Sequence, residues 1–184
     1  MLVGLSTNVF AGSDTTGIAL RAAVYFLCKD PRCMQKAVAE LDAAHNAGQL
    51  STLISYREAA ALPYLNAVLK ESIRAHASVG LLLERYVPPE GLPIDGYFLK
   101  GGTMVGISPL VVNYNEEIFP EPTIFKPERW LDASEQQLKI MDSAWELNFG
   151  GGARKCVGRH ISCKCQEMHS GNLAYTSQGL RCPK

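Results

Sequence analysis

The sequence predicts a mainly α-helical protein carrying a small antiparallel β-sheet, an α+β order. Three observations lead there. Apolar residues recur at helical spacing as far as His76. Short apolar runs bounded by turn residues then replace them. Between two of those runs stands Asp95-Gly96, a hairpin turn signal.

The elements follow in order. After an apolar start to Phe10 comes AGSDTT, whose Ser, Asp and Thr are ordinary N-cap residues before a helical run. That run places Ile18, Ala19, Ala22, Ala23, Phe26 and Leu27 on one face, and Pro31 closes it. A second helix carries Met34, Ala37, Val38, Leu41 and Ala44 and ends at Gly48. Ser55 and Glu58 have capping-box spacing. Pro63 suits the first turn of a third helix, YLNAVLKESIRAH. VGLLLERYVPP, IDGYFLKGG and TMVGISPLVV then read as strands. From Asn113 to Phe149 the chain reads as irregular and proline-rich, and a loop of that length in a compact domain usually has a task. Val157, Ile161 and Met168 predict a short helix just after Cys156.

Composition narrows the function. The chain has 184 residues, 47% apolar, with 18 Lys+Arg against 18 Asp+Glu. A net charge of zero removes the bulk electrostatic case for nucleic acid or an anionic membrane. No apolar run is long enough to span a bilayer, and the N-terminus lacks the basic flank of a signal peptide. The expectation is a soluble, cytoplasmic chain with no membrane anchor and no nucleic-acid partner. The six cysteines are irregularly spaced and read as reduced thiols. Cys163 and Cys165 are a weak zinc signal, lacking a second pair.

The chemistry concentrates in FGGGARKCVG, Phe149 to Gly158. A phosphate loop would need Ser or Thr after Lys155, where Cys156 stands. A dinucleotide fingerprint would need a third small residue where Lys155 stands. Local physics alone favours a structural loop with an incidental cysteine. Arg154, Lys155 and a helix start beyond them nevertheless favour a charged sulfur at Cys156. As a nucleophile it would need an oriented base, and nothing orients His160. As a metal ligand it needs only access, which glycines allow to a flat macrocycle.

FGGGARKCVG matches F-x-x-G-x-R-x-C-x-G at every fixed position. It is similar to the haem-ligand signature of the cytochrome P450 superfamily. AGSDTT resembles the oxygen-activation segment of that family's long central helix, Glu71-Ser72-Ile73-Arg74 resembles its E-x-x-R, and Pro127-Glu128-Arg129-Trp130 resembles P-E-R-[FW]. The resemblance implies a partial cytochrome P450 fold and a haem-thiolate monooxygenase, nearest in style to fungal pisatin demethylase-like members. It implies Cys156 as the axial ligand of haem b iron, with Gly152, Gly158 and Phe149 around it. Arg85 and Arg154 would meet haem propionates. Asp14 and Thr15 would relay protons in a helix they locally open, and Glu71, Arg74 and Arg129 would form a buried triad supporting the loop. As a helix pair in solvent, Glu71 and Arg74 would contribute only roughly a few tenths of a kcal/mol. An NADPH-dependent reductase and a small organic substrate are the implied partners, with Lys155 and Arg159 available for docking. Full-length relatives are implied to be anchored at the endoplasmic reticulum.

The pattern covers Val3 to about Ser162. Residues 1–162 are expected to be the C-terminal part of the domain, and 163–184 a divergent, poorly ordered tail of a truncated or mis-spliced product. Asn113-Tyr114 stands where His-Arg is common, and Ala77 where proline is usual. The alternative to an active monooxygenase is therefore a catalytically incompetent chain that binds haem weakly or not at all.

Overall fold

A computed structural model describes residues 2–176. Eight α-helices and four short strands are described: α1 Leu2–Lys29, α2 Pro31–Asn46, α3 Tyr56–Ala60, α4 Pro63–Ala75, α5 Pro109–Asn113, α6 Arg129–Asp132, α7 Glu135–Glu146 and α8 Arg159–Thr176. The fold class agrees with the sequence: mostly helical, with small antiparallel sheets. β1 (Leu83–Tyr86) pairs with β4 (Met104–Ile107), setting Arg85 opposite Val105. β2 (Leu92–Ile94) pairs separately with β3 (Tyr97–Leu99). Two ribbons thus replace the one expected sheet. Asp95 and Gly96 both take positive φ, 48° and 80°, the backbone of a tight hairpin turn.

Local signals account for most helix ends. Asp30 caps α2, accepting from the N–H groups of Arg32 and Cys33, and Pro31 takes the first helical position. Ser55 and Glu58 form the full capping box of α3. The cap of α4 is not local. Leu62 has no side chain to offer, and Glu40 of α2 accepts from Tyr64 N–H at 2.7 Å and Leu65 N–H at 2.9 Å. A carboxylate on two orphan donors at a helix start is favourable by both hydrogen bonding and the helix dipole.

Three expectations change. AGSDTT lies inside α1, not at its N-cap, because the buried face of Ala19, Ala22, Ala23 and Leu27 packs on α4 and α8 and carries the helix through. PLVV of the third strand run is helix α5. The stretch read as irregular contains α7, started by Ser134, whose hydroxyl accepts from Gln137 N–H at 3.2 Å. Helix α8 carries the chain past Cys163 and Cys165 to Thr176, and residues 177–184 lie outside the described residues.

The core gathers where α1, α4, α6 and α7 meet, around Ala19, Ala67, Ile73, Phe119, Trp130 and Trp145. Helix α8 packs on α1, α2, α3 and α4. Asn172 on α8 grips both peptide groups of Ile54, accepting from its N–H at 3.1 Å and donating to its carbonyl at 3.2 Å.

Glu128 joins α2 and α4 to the segment before α6. Its Oε1 accepts from the Arg32 guanidinium, from Lys36 Nζ at 2.7 Å and from Tyr64 OH at 3.2 Å. Burial alone would raise its carboxyl, but the Lys36 hydrogen bond and the charges of Arg32 and Lys36 outweigh burial and hold it at about 2. The folded value lies below the ordinary 4.5, so the stabilisation is complete above that value. It is lost as pH falls from there through about 2. Thermal melts across this window should show the acid limb flattened in Glu128→Gln. Glu58 titrates in the same window, so the difference between parent and variant is the measure.

Candidate functional site

The loop around Cys156 is built by short-range hydrogen bonds and two left-handed glycines. After the 3-10 turn Leu147–Phe149, Gly150 takes φ 78° and ψ −171° and turns the chain sharply. A side chain there would be strained by backbone alone. Gly152 opens a second 3-10 turn, Gly152–Arg154, at φ 61°. Lys155 N–H reaches Gly152 O at 3.1 Å, and Cys156 N–H closes the loop on Phe149 O at 2.8 Å. Helix α8 then starts at Arg159, three residues beyond the sulfur, as expected.

Cys156 is exposed. Cys33 is its opposite: fully buried, with burial foremost in pushing its thiol up to about 11. Space around Cys156 is ample. A Cβ built on Gly151 or Gly152 meets nothing within 4 Å, and one on Gly158 would stand 3.8 Å from Cys156 Sγ. Arg85, projecting from β1, donates to Gly151 O at 3.3 Å and so ties the strand ribbon to the loop. Arg154 is exposed. Neither guanidinium has a carboxylate partner among the described residues. Val157 beside the cysteine is 96% exposed, and Ile161 one turn into α8 is 69% exposed.

Phe149 turns its ring inward. It lies 5.5 Å from Trp145, and the Arg159 guanidinium sits over both rings at 5.8 and 6.0 Å. Glu146 takes Lys155 Nζ at 2.7 Å and Arg159 Nη1 at 3.0 Å. The Lys155 hydrogen bond, foremost, holds the Glu146 carboxyl below the usual carboxylate range. Lys155 and Arg159, the two cations read from the sequence as available for docking, thus share Glu146 as a partner within the chain.

A second polar cluster gathers around Glu71 on α4. Glu71 and Arg74 are wholly buried, and Arg129 is nearly so. Glu71 Oε1 accepts from Arg74 Nη2 at 2.9 Å, Arg129 Nε at 3.0 Å and Lys126 N–H at 3.0 Å. Oε2 accepts from Arg74 Nε at 2.9 Å and Trp130 Nε1 at 3.0 Å. The helix pair in solvent is thereby replaced by a buried ion network. The guanidiniums spend their remaining donors on carbonyls of the segment between α5 and α6. Arg74 takes Asn113 and Pro122, and Arg129 takes Pro120, Glu121 and Ile124. That segment is irregular because its carbonyls serve two arginines instead of a helix. The sequence motifs group the three charges but not Trp130, which is the third side chain bonded to Glu71.

Asp14 is exposed on α1, and Thr15 Oγ1 donates back to Ala11 O at 2.7 Å. The helix stays continuous there, and the hydroxyl shares the carbonyl the turn already uses. A polar contact between α1 and α8, the helix that follows the cysteine loop, is made by Thr16, which the sequence did not single out. Its hydroxyl lies 3.1 Å from Ser162 Oγ on α8, which also accepts from Gln166 at 3.0 Å.

The family model for cytochrome P450 matches residues 2–165. This chain belongs to the cytochrome P450 family. It is 46% identical over 158 residues to a cytochrome P450 monooxygenase of Aspergillus terreus, covering 85% of this chain and 32% of that protein. It is 44% identical over 155 residues to one of Alternaria alternata, covering 84% and 41%. It is 40% identical over 161 residues to a pisatin demethylase of Fusarium vanettenii, covering 87% and 29%. The P450 segment described here spans about a third of the length of such relatives. Members of the cytochrome P450 family are haem-iron oxidoreductases that work with a redox partner on an oxidisable substrate. The loop fits such a group in its donor chemistry: one accessible soft sulfur, open space over Gly151 and Gly152, and two arginines without carboxylates. No described helix is long and apolar enough to cross a membrane.

Proposed function

We propose that Cys156 is the axial thiolate ligand of haem b in a monooxygenase whose electrons come from NADPH through a reductase and whose substrate is a small organic molecule. One observation carries this reading: an accessible thiol in a glycine loop closed by its own N–H on Phe149 O, with Gly158 leaving the flank of the sulfur bare. When bound, haem supplies the iron at which dioxygen is reduced and one oxygen atom passes to the substrate. Arg85 and Arg154 pair with the carboxylates of the macrocycle, a contact suited to guanidinium geometry. Asp14 and Thr15 handle protons. The Thr15 hydroxyl spends its own hydrogen on Ala11 O, so its lone pairs accept from water, and exposed Asp14 exchanges that water's protons with solvent. Glu71, Arg74, Arg129 and Trp130 hold the platform and take no part in the chemistry.

Haemin added to the purified chain, reduced under carbon monoxide, should give a thiolate-type Soret shift that Cys156→Ala abolishes. A spectrum unchanged by the substitution refutes the ligand assignment. A second reading concerns turnover by this polypeptide alone. Exposure of Phe10 on α1 at 71% and of Val157 beside the cysteine at 96% leaves apolar surface uncovered, which favours binding without catalysis. With a reductase added, NADPH oxidation that disappears in Cys156→Ala supports catalytic competence, and its absence supports the second reading.

A further inference from the structure

We propose that the reciprocal amide pair Asn113–Asn148 is the positioning link through which the buried Glu71 network holds the Cys156 loop in place. The inference rests on Cys156 being the ligand, and it assigns roles to two residues outside the signature motifs.

The path is continuous. Arg74, locked on both Glu71 oxygens, donates Nη1 to Asn113 O at 3.0 Å. Asn113 ends α5 and is wholly buried. Its Nδ2 donates to Asn148 Oδ1 at 2.9 Å, and Asn148 Nδ2 returns toward Asn113 Oδ1 at 3.4 Å. Asn148 Nδ2 also reaches Trp145 O at 2.7 Å, the carbonyl at the end of α7. The residue after Asn148 is Phe149, whose carbonyl receives the Cys156 N–H. The backbone oxygen of Asn113 is thus fixed by the network, and its side chain fixes the turn that closes the loop.

The arrangement has the features of a specific link. A buried amide must find partners for both its oxygen and its nitrogen, and Asn148 supplies both for Asn113. Two planar amides facing each other also define an orientation as well as a distance. The neighbouring Trp145–Phe149 contact holds the ring of Phe149 but places no direct constraint on its carbonyl.

The test uses the full 184-residue chain without haem, so that its result does not depend on the ligand assignment. Amide hydrogen exchange at single-residue resolution is compared at Cys156 and along α4. In Asn148→Ala, exchange at Cys156 should rise roughly three- to tenfold, the range for one lost side-chain hydrogen bond, with α4 within about twofold of the parent. Asn113→His, which keeps a ring N–H for Asn148 Oδ1, should stay near the parent. Asn113→Leu should match Asn148→Ala; if it fails to fold, the other two variants decide. The proposal is overturned by an unprotected Cys156 amide in the parent, by unchanged exchange in Asn148→Ala, or by equal loosening of loop and α4. Failure of the ligand assignment shows separately, as a haemin spectrum indifferent to Cys156→Ala, and leaves the exchange result intact.

Discussion

Replacing Glu71 by glutamine should remove about 3–5 kcal/mol of folding stability, the cost of breaking one side of a buried ion network. The amide would keep the shape of the carboxylate but turn an NH2 group toward a guanidinium. It would also leave Arg74 and Arg129 as buried charges without a counter-charge, both at under a tenth of full exposure. For a domain holding roughly 5–15 kcal/mol in all, that is a large share. Urea unfolding, followed by the fluorescence of Trp130 and Trp145, measures it directly. A loss below about 1 kcal/mol would show the network to be no more than a surface-like ion pair. Substituting Arg74 and Arg129 by apolar residues at the same time is not an escape, because their donors also satisfy the carbonyls between α5 and α6.

Trp145→Ala should cost about 3–5 kcal/mol, the usual range for emptying a buried tryptophan site. The indole contributes in three ways: packing in the main core, a hydrogen bond from Nε1 to Lys70 O at 3.0 Å, and a face for Phe149 and Arg159. Trp145→Phe keeps most of the packing and loses the hydrogen bond, so it should cost about 1 kcal/mol. Denaturant midpoints for the two variants separate packing from polar anchoring. Equal losses would mean that the hydrogen bond to α4, not the volume of the ring, holds α7.

What the sequence made legible was local. Asp95-Gly96, the Ser55–Glu58 box and Pro63 each act within a few residues, so each could be read from its own neighbourhood and each stands where expected. The cysteine loop was legible because its glycines answer to backbone geometry and its spacing is rigid. The N-cap reading of AGSDTT failed for the converse reason: a capping preference of about 1 kcal/mol is overridden when the helix is continued by a buried alanine face. Helix α7 was obscured by the prolines before it. The Asn113–Asn148 pair had no sequence signal, since two neutral amides 35 residues apart disturb neither periodicity nor charge pattern. Trp130 was visible as part of a motif, but its hydrogen bond to Glu71 spans 59 positions.

The grip of Asn172 on Ile54 has a consequence for timing. It joins positions 118 apart, and the helix carrying it is the last element described, yet that helix packs on α1 to α4, the four helices described first. During synthesis at roughly 5–20 residues per second, α1 to α4 emerge and wait several seconds for the partner that covers them. Through that interval their apolar faces depend on chaperones or on one another, and the unit closes only after α8 has left the ribosome.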